Sequence, residues 1–390
     1  MRKAYILKAV RTPGCRANRG KFTNVRPDHL ATVALKGLLE KTGVDAQHIE
    51  DVILGCSFPE GEQGMNVGRM VALNAGLSYE VPGQTVNRFC SSGLQSISMA
   101  AERIMSGFAD CIVAGGTESM TMVPMGGKNF SASPSLVENY TEAYANMGIT
   151  AEKVADKYGI SREEQDKFGM ESNRRAAQAI RDGKFKEETI PVEVERTKVV
   201  NDKLEKTTEI VDVDDGPRET TLEKMAKLKT PFKQDGSVTP GNASQMTDGA
   251  AVTMVVSEDF INKMGLDPMA RFLGYDVKGC PPELMGIGPS VAIPGVLEKT
   301  GFKIDDFGLV ELNEAFASQA LYCIQKLGLS QDIVNVNGGA IALGHPLGCT
   351  GAKLTTTLLH EMKRRGEKYG LVSMCIGGGM GAAGVFENLS

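Results

Sequence analysis

The run Leu39-Glu40-Lys41-Thr42-Gly43 recurs letter for letter as Leu297-Glu298-Lys299-Thr300-Gly301, 258 positions further along the 390-residue chain. This recurrence constrains the fold more than any other feature, because further landmarks repeat in the same register. Each copy is followed by an apolar, strand-like run, Val52-Ile53-Leu54 and Leu309-Val310-Glu311-Leu312. Within one position, Cys90 falls on Cys349. Cys111-Ile112-Val113-Ala114-Gly115 falls near Leu371-Val372-Ser373-Met374-Cys375. One short identity is compatible with chance, whereas three features in one register mark a duplication. The chain is expected to fold as two similar halves about a pseudo-twofold axis, each delivering loops to a shared cleft.

The pattern within each half is α/β. Tyr5-Ile6-Leu7 and Val52-Ile53-Leu54 read as strands, His29 to Thr42 as a helix closed by Gly43, and Leu94 to Ser106 as a helix closed by Gly107. Cys111 to Ala114 is an apolar strand that runs into Gly115-Gly116. Such alternation points to a largely parallel sheet covered by helices. With 42% hydrophobic residues, a chain of this length buries a large core in two or three domains. From about 121 to 247 the character changes. Ser161-Arg162-Glu163-Glu164 is a capping-box signature that opens a helix through Arg181, stopped at Gly183. A charged, β-tending stretch from Lys184 to Asp215 follows, then Arg218 to Pro231 and a turn at Gln234-Asp235-Gly236. This segment reads either as an insertion seated on the core or as a solvated surface excursion. The expected division is residues 1–120 with 248–268 as one half, 121–247 as the insertion, and 269–390 as the other half.

A formal net charge of -5 argues against broad nucleic-acid binding. No run of 18 apolar residues is present, so no membrane span is expected. Met1 to Val10, interrupted by Lys8, reads as a first strand rather than a signal peptide. The eight cysteines are scattered without close pairs, which suits a reducing, cytoplasmic setting better than a disulfide framework. Only His29, His48, His345 and His360 are available for histidine chemistry.

Four stretches carry chemical content. In Val86 to Ile97, an extended run ends at Cys90 and a helical face begins with Leu94, Ile97, Ala101 and Ile104. A thiol at a helix N-terminus has a lowered pKa and more of the nucleophilic thiolate. The competing reading is a small buried hydrophobe, the commoner fate of a free cysteine. Asn313-Glu314-Ala315-Phe316 lies just beyond a strand, where polar groups face the ligand crevice of an α/β sheet. Asn313 is equally suited to be a helix N-cap. Asn337 to Cys349 is a glycine-rich loop with His345 near its end, a placement that favours function over packing. Cys375-Ile376-Gly377-Gly378-Gly379-Met380-Gly381 joins a strand-end cysteine to N–H groups suited to an oxyanion. A metal on His345, Cys349 and Cys375 lacks the paired-ligand spacing that zinc sites show, so no metal is expected.

These four motifs, with Arg11-Thr12-Pro13 in the first strand, resemble those of the thiolases over essentially the whole chain. The resemblance implies a five-layered αβαβα fold with two duplicated halves and an inserted loop domain at 121–247 that binds coenzyme A. It is closest in type to degradative 3-ketoacyl-CoA thiolases. It implies Cys90 as the nucleophile that holds the acyl group as a thioester. His345 would accept its proton, and Cys375 would be the acid/base for the departing acetyl-CoA carbanion. Asn313 would hold a water that forms one oxyanion hole with His345; the N–H groups of Cys90 and Gly377 would form the other. Arg218, Ser244 and Met147 would contact coenzyme A, and Met285 and Phe316 would line the acyl path. Coenzyme A and acyl-CoA enter as substrates, with no permanently bound cofactor. A homodimer or homotetramer is implied, with a β-oxidation multienzyme complex as a further partner.

One departure is local: Asn146 precedes Met147-Gly148 where many acetoacetyl-specific members carry histidine. Three alternatives stand beside this reading. A short-chain acetyl-CoA acetyltransferase would use the same residues. A β-ketoacyl synthase would need a second histidine where Cys375 stands. A non-catalytic lipid carrier would have lost one of Cys90, His345 and Cys375.

Overall fold

The computed structural model describes residues 2–200 and 203–390. Met1 and positions 201–202, which fall in the expected first strand and β-tending stretch, lie outside the described residues. The first half contributes β1 (Ala4–Arg11), β2 (Cys15–Arg16), β3 (Asp51–Gly55), β4 (Gly83–Val86) and β5 (Cys111–Ser119). Next come β6 (Val192–Val200) and β7 (Lys203–Val211), an antiparallel ribbon, and then β8 (Thr247–Ser257), which returns to the first half. The second half holds β9 (Ala270–Gly279), β10 (Leu309–Leu312), β11 (Tyr369–Ile376) and β12 (Met380–Asn388).

The duplication is visible in the pairing. In the first half the order is β4-β3-β5-β8-β1, with the first two pairings parallel and the next two antiparallel. In the second, β10-β11 is parallel and β11-β12 and β12-β9 are antiparallel, while Val334 bridges Val310 in parallel where the counterpart of β4 belongs. The half-sheets meet at Tyr5–Arg271 and Ile6–Ala270, where β1 and β9 pair. The repeated pentapeptide is a helix end. Gly43 and Gly301 adopt φ of 64° and 76°, and their N–H groups donate to Leu39 and Leu297 carbonyls at 2.9 and 2.8 Å. Glycine closes a helix in this left-handed conformation without a Cβ clash.

Side-chain alternation along a strand sorts residues onto two faces. In fully buried β8, Val252, Met254 and Val256 join one core while Ala251 and Val255 join another. The first core is covered by helices Pro27–Thr42 and Val67–Asn74. The second lies between the half-sheets and takes Leu94 and Ile97 from helix Ser92–Met105 with Leu354 and Leu358 from helix Leu347–Arg365. A third core packs helices Gly288–Thr300 and Ala317–Leu327 against the outer face of the second half-sheet. The layers run α-β-α-β-α, as the resemblance implied. The two central helices cross at glycine: a Cβ on Gly351 would lie 2.2 Å from the Leu94 nitrogen, and one on Gly93 would lie 2.7 Å from the Ala352 nitrogen. This crossing brings the two helix N-termini, and the loops that precede them, together.

Between β5 and β8 the chain forms helices Met147–Tyr158 and Arg162–Arg181, the latter opened by the expected capping box at Ser161 and Glu164. These helices are not a loose excursion. The Ser318 hydroxyl donates to the Ala151 carbonyl at 3.0 Å, and the Ser172 hydroxyl donates to Glu314 at 2.6 Å, so both dock on the second half.

Candidate active site

Cys90 sits in the tight turn Phe89–Ser91 immediately before helix Ser92–Met105. The turn places Phe89 at φ 43°, a left-handed conformation that bulky residues rarely adopt. Local bonds hold it there. The Ser92 hydroxyl donates to the Phe89 carbonyl at 2.6 Å and accepts the Arg88 N–H at 2.9 Å. Asn87 accepts the Phe89 N–H and donates to the Ser57 carbonyl, both at 2.9 Å. The sulfur is turned inward among Phe58, Phe89, Met120 and Leu347.

The helix start does not lower the Cys90 pKa as the sequence suggested. Burial pushes the thiol up to about 11, against the opposing pull of the Gly377 and Cys90 N–H groups. Desolvation of the thiolate is the larger effect here. At neutral pH Cys90 is a thiol and needs a base.

His345 has the protonation state and tautomer of a base. Burial, with help from the Lys353 charge, pushes its pKa down to about 3, so the ring is neutral. Its Nδ1 stands 2.6 Å from the Thr350 hydroxyl, which donates to the Pro346 carbonyl at 3.1 Å. With its hydrogen committed there, the Thr350 oxygen accepts from Nδ1–H, and Nε2 is left with a free lone pair. Nε2 faces the Asn313 amide at 3.4 Å.

The two readings of Asn313 are resolved by this contact. Helix Ala317–Leu327 starts four residues later, so Asn313 does not cap it. Its backbone N–H donates to the Ser373 carbonyl at 2.9 Å, and its buried Oδ1 has no partner among the described residues. Such an orphan acceptor is a place for an ordered water.

Cys375 is fully buried at the end of β11, in a cluster with Met147, Ala243, Met285, Ala315 and Phe316. Burial holds its thiol far above the usual range, and the nearby Cys90 pushes it further. The next residue but one is Gly377, whose N–H pulls the Cys90 pKa down against burial and whose Cα faces Met147 and Phe89. Two buried thiols from opposite halves thus lie near one another. Ionising one disfavours ionising the other, which separates a nucleophile from an acid.

Of the residues expected to hold the substrate, Met147, Met285 and Phe316 pack around Cys375. Ser244 belongs to a strap beside that cluster. The Ser244 N–H donates to the Ala315 carbonyl at 2.9 Å, Ala243 bridges Phe316, and the Gln245 carbonyl accepts the His345 N–H at 3.1 Å. Arg218 stands apart: it is exposed, and its backbone N–H donates to Asn173 at 2.9 Å. Asn146 accepts the Gly148 N–H at 2.9 Å as N-cap of helix Met147–Tyr158. Among the described residues, His345, Cys349 and Cys375 form no cluster able to hold a metal ion.

Sequence reasoning missed three supports. Thr350 sets the His345 tautomer; a hydroxyl five residues beyond the histidine, one turn into a helix, was the available signal. Glu314 was noted only as part of its motif. It accepts from Ser172 at 2.6 Å, Asn335 at 2.9 Å and the Ile341 N–H at 3.2 Å, tying insertion, strand-end loop and glycine loop together. Glu118, buried at the end of β5, accepts the Ser57 and Gly348 N–H groups at 2.8 and 2.7 Å, which fixes the start of helix Leu347–Arg365 beside Cys90.

Comparison with known proteins agrees with this geometry. The thiolase N-terminal domain model matches residues 4–259, and the thiolase C-terminal domain model matches 266–388. A 3-ketoacyl-CoA thiolase of Bacillus subtilis (strain 168) is 51% identical over 389 residues, covering 99% of this chain and 100% of the relative. Peroxisomal 3-ketoacyl-CoA thiolase 1 of Arabidopsis thaliana is 47% identical, covering 98% and 87%. The crystal structure of the Bacillus anthracis acetyl-CoA acetyltransferase superposes with a TM-score of 0.91 at 39% identity, covering 100% of this chain and 99% of that one. With both family models matched end to end and the two-cysteine, one-histidine site assembled between its halves, the chain belongs to the thiolase family.

Proposed function

We propose that this chain is an acyltransferase that cleaves 3-ketoacyl-CoA with coenzyme A, releasing acetyl-CoA and an acyl-CoA shortened by two carbons, and runs in reverse as a Claisen condensation. One observation carries this reading: two buried thiols, Cys90 from the first half and Cys375 from the second, lie near enough for the charge of one to act on the other, and the buried neutral His345 turns its Nε2 lone pair toward Asn313. The Cys90 sulfur attacks the 3-keto carbonyl as His345 Nε2 takes its proton. The C2–C3 bond breaks, the acyl group stays on sulfur, and the acetyl-CoA carbanion takes the Cys375 proton. Incoming coenzyme A gives its thiol proton to the Cys375 thiolate and attacks the thioester, and Cys90 leaves as the thiolate and takes back the proton held by His345. The covalent intermediate implies ping-pong kinetics.

The N–H groups of Cys90 and Gly377 form one oxyanion hole, supported by the lowering pull of both on the Cys90 pKa. His345 with a water on Asn313 forms the other, supported by the unpaired Oδ1. Each well-placed donor is worth about 3 kcal/mol. Residues 121–247 act as the coenzyme A-binding loop domain through Ser244 and Met147, with Arg218 at its exposed rim. The partners are acyl-CoA and coenzyme A, a second copy or a tetramer of the chain, and a β-oxidation multienzyme complex. The eight free cysteines fit a reducing compartment such as the cytoplasm.

The preferred substrates are longer than acetoacetyl-CoA, in fatty-acid β-oxidation. Support comes from Asn146, which is spent on a helix cap rather than a pocket contact, and from the apolar lining of Met285 and Phe316. Burying each extra CH₂ contributes about 0.8 kcal/mol, or about 15-fold in kcat/KM per fully buried pair of carbons. Thiolysis of 3-ketooctanoyl-CoA is expected to exceed that of acetoacetyl-CoA under identical conditions. A clear win for the four-carbon substrate would reassign the chain as an acetyl-CoA acetyltransferase. Absence of thiolysis at every chain length would overturn the enzymatic reading.

A further inference from the structure

The helical turn Ala340–Leu343 ends immediately before His345. A helix leaves its last four carbonyls without backbone partners, and here these belong to Ile341, Ala342, Leu343 and Gly344. All four are taken by two side chains. Gln245 Nε2 shares its two hydrogens among three carbonyls, Ile341 at 3.0 Å, Ala342 at 3.1 Å and Gly216 at 3.0 Å. Lys353 Nζ donates to Leu343 at 3.0 Å and to Gly344 at 3.3 Å. Burial of an ammonium is costly and lowers the Lys353 pKa, while Asp214 and Glu188 support its charge. Yet Asp214 makes its two-point ion pair with Arg11, and Glu188 pairs with Arg11 and Thr357. Lys353 forms no ion pair among the described residues, so its buried donors serve backbone carbonyls. A cation at a helix C-terminus also interacts favourably with the dipole. Thr247 completes the arrangement, accepting the His345 N–H at 3.1 Å through its hydroxyl.

We propose that Gln245 and Lys353 are positioning residues, a clamp on the four carbonyls preceding His345 that fixes where its imidazole stands relative to Cys90. The proposal rests on the thiolase reading for its kinetic test. A misplacement of about 1 Å at a reacting group costs on the order of 10²-fold in rate. Lys353→Met fills the same volume without a donor. It is expected to lower kcat for 3-ketoacyl-CoA thiolysis by about 10- to 100-fold, with KM changed less than about threefold. Lys353→Arg, which keeps charge and donors, is expected to recover most of that loss.

The second readout needs no turnover. The chain has four histidines, so the ring signals of ¹⁵N-labelled His345 are assignable by substitution. They should report one neutral tautomer with Nδ1–H in the parent chain and a shifted or broadened pattern in Lys353→Met. Should Lys353→Met fail to fold, Gln245→Leu decides, because it frees two of the same carbonyls and strands no charge. It is expected to show the same kcat-selective loss and the same change at His345. Folded Lys353→Met or Gln245→Leu protein with unchanged kcat and unchanged His345 signals overturns the clamp. Loss confined to KM overturns it as well. A parent chain without thiolysis would defeat the thiolase reading alone, leaving the His345 signals to decide the clamp.

Discussion

Cys375→Ser is expected to retain transfer of an acetyl group from acetyl-CoA to Cys90 and to lose thiolysis and condensation by roughly 10²- to 10⁴-fold, the range of acid–base catalysis. The separation follows from placement. Cys375 ends a strand of the second half and packs against Met285 and Phe316, opposite the half that carries Cys90. Its thiol is held protonated by burial and by the proximity of Cys90, so at neutral pH it has a proton to give. A serine hydroxyl is a far weaker acid, yet it does not remove Cys90, His345 or the Gly377 N–H. Acyl-enzyme formation and full turnover, measured on the same sample, check the split. Turnover like that of the parent chain would rule out the acid/base role.

His345→Ala is expected to slow acyl transfer to Cys90 by about 10²- to 10⁴-fold at neutral pH and to change its pH dependence. The sign follows from the two shifted groups. With its thiol near 11, unassisted Cys90 gains thiolate about tenfold per pH unit below that value. In the variant, the residual rate should climb at nearly that slope from about pH 7 to pH 10. The parent chain should be much flatter, because His345, with a pKa near 3, is already the neutral base across this range. Stopped-flow release of coenzyme A from acetyl-CoA measures both profiles. Equal slopes in the two proteins would show that His345 is not the base for Cys90.

Much of the architecture was legible because it repeats. The Leu39–Gly43 and Leu297–Gly301 identity marks two equivalent helix ends, and β5 and β11 begin at Cys111 and Tyr369, the same spacing apart. The central helix Ser92–Met105 was foreseen from its apolar spacing, within a few residues at its start. Strands β8 and β9 were not. β8 opens on Thr247, Asp248 and Gly249, and β9 carries Arg271, Asp276 and Lys278, so neither shows a plain apolar run. Helix Met147–Tyr158 was hidden because its N-cap, Asn146, was weighed only as a missing histidine. At the site, Cys90, His345 and Cys375 stood out as reactive residue types beside glycine. Their protonation states did not, since burial is a property of the assembled fold: it raised Cys90 where the helix start alone suggested lowering. Thr350, Glu118, Gln245 and Lys353 act through distances of about 3 Å that no spacing in the chain displays.

The central claim is that Cys90, and Cys90 alone, carries the acyl group. Incubation with acetyl-CoA, rapid acid quench, proteolysis and mass spectrometry locates the thioester among the eight cysteines. The account predicts the adduct on the peptide containing Cys90 and on no other. An adduct on Cys375 or Cys349, with Cys90 unmodified, would contradict it.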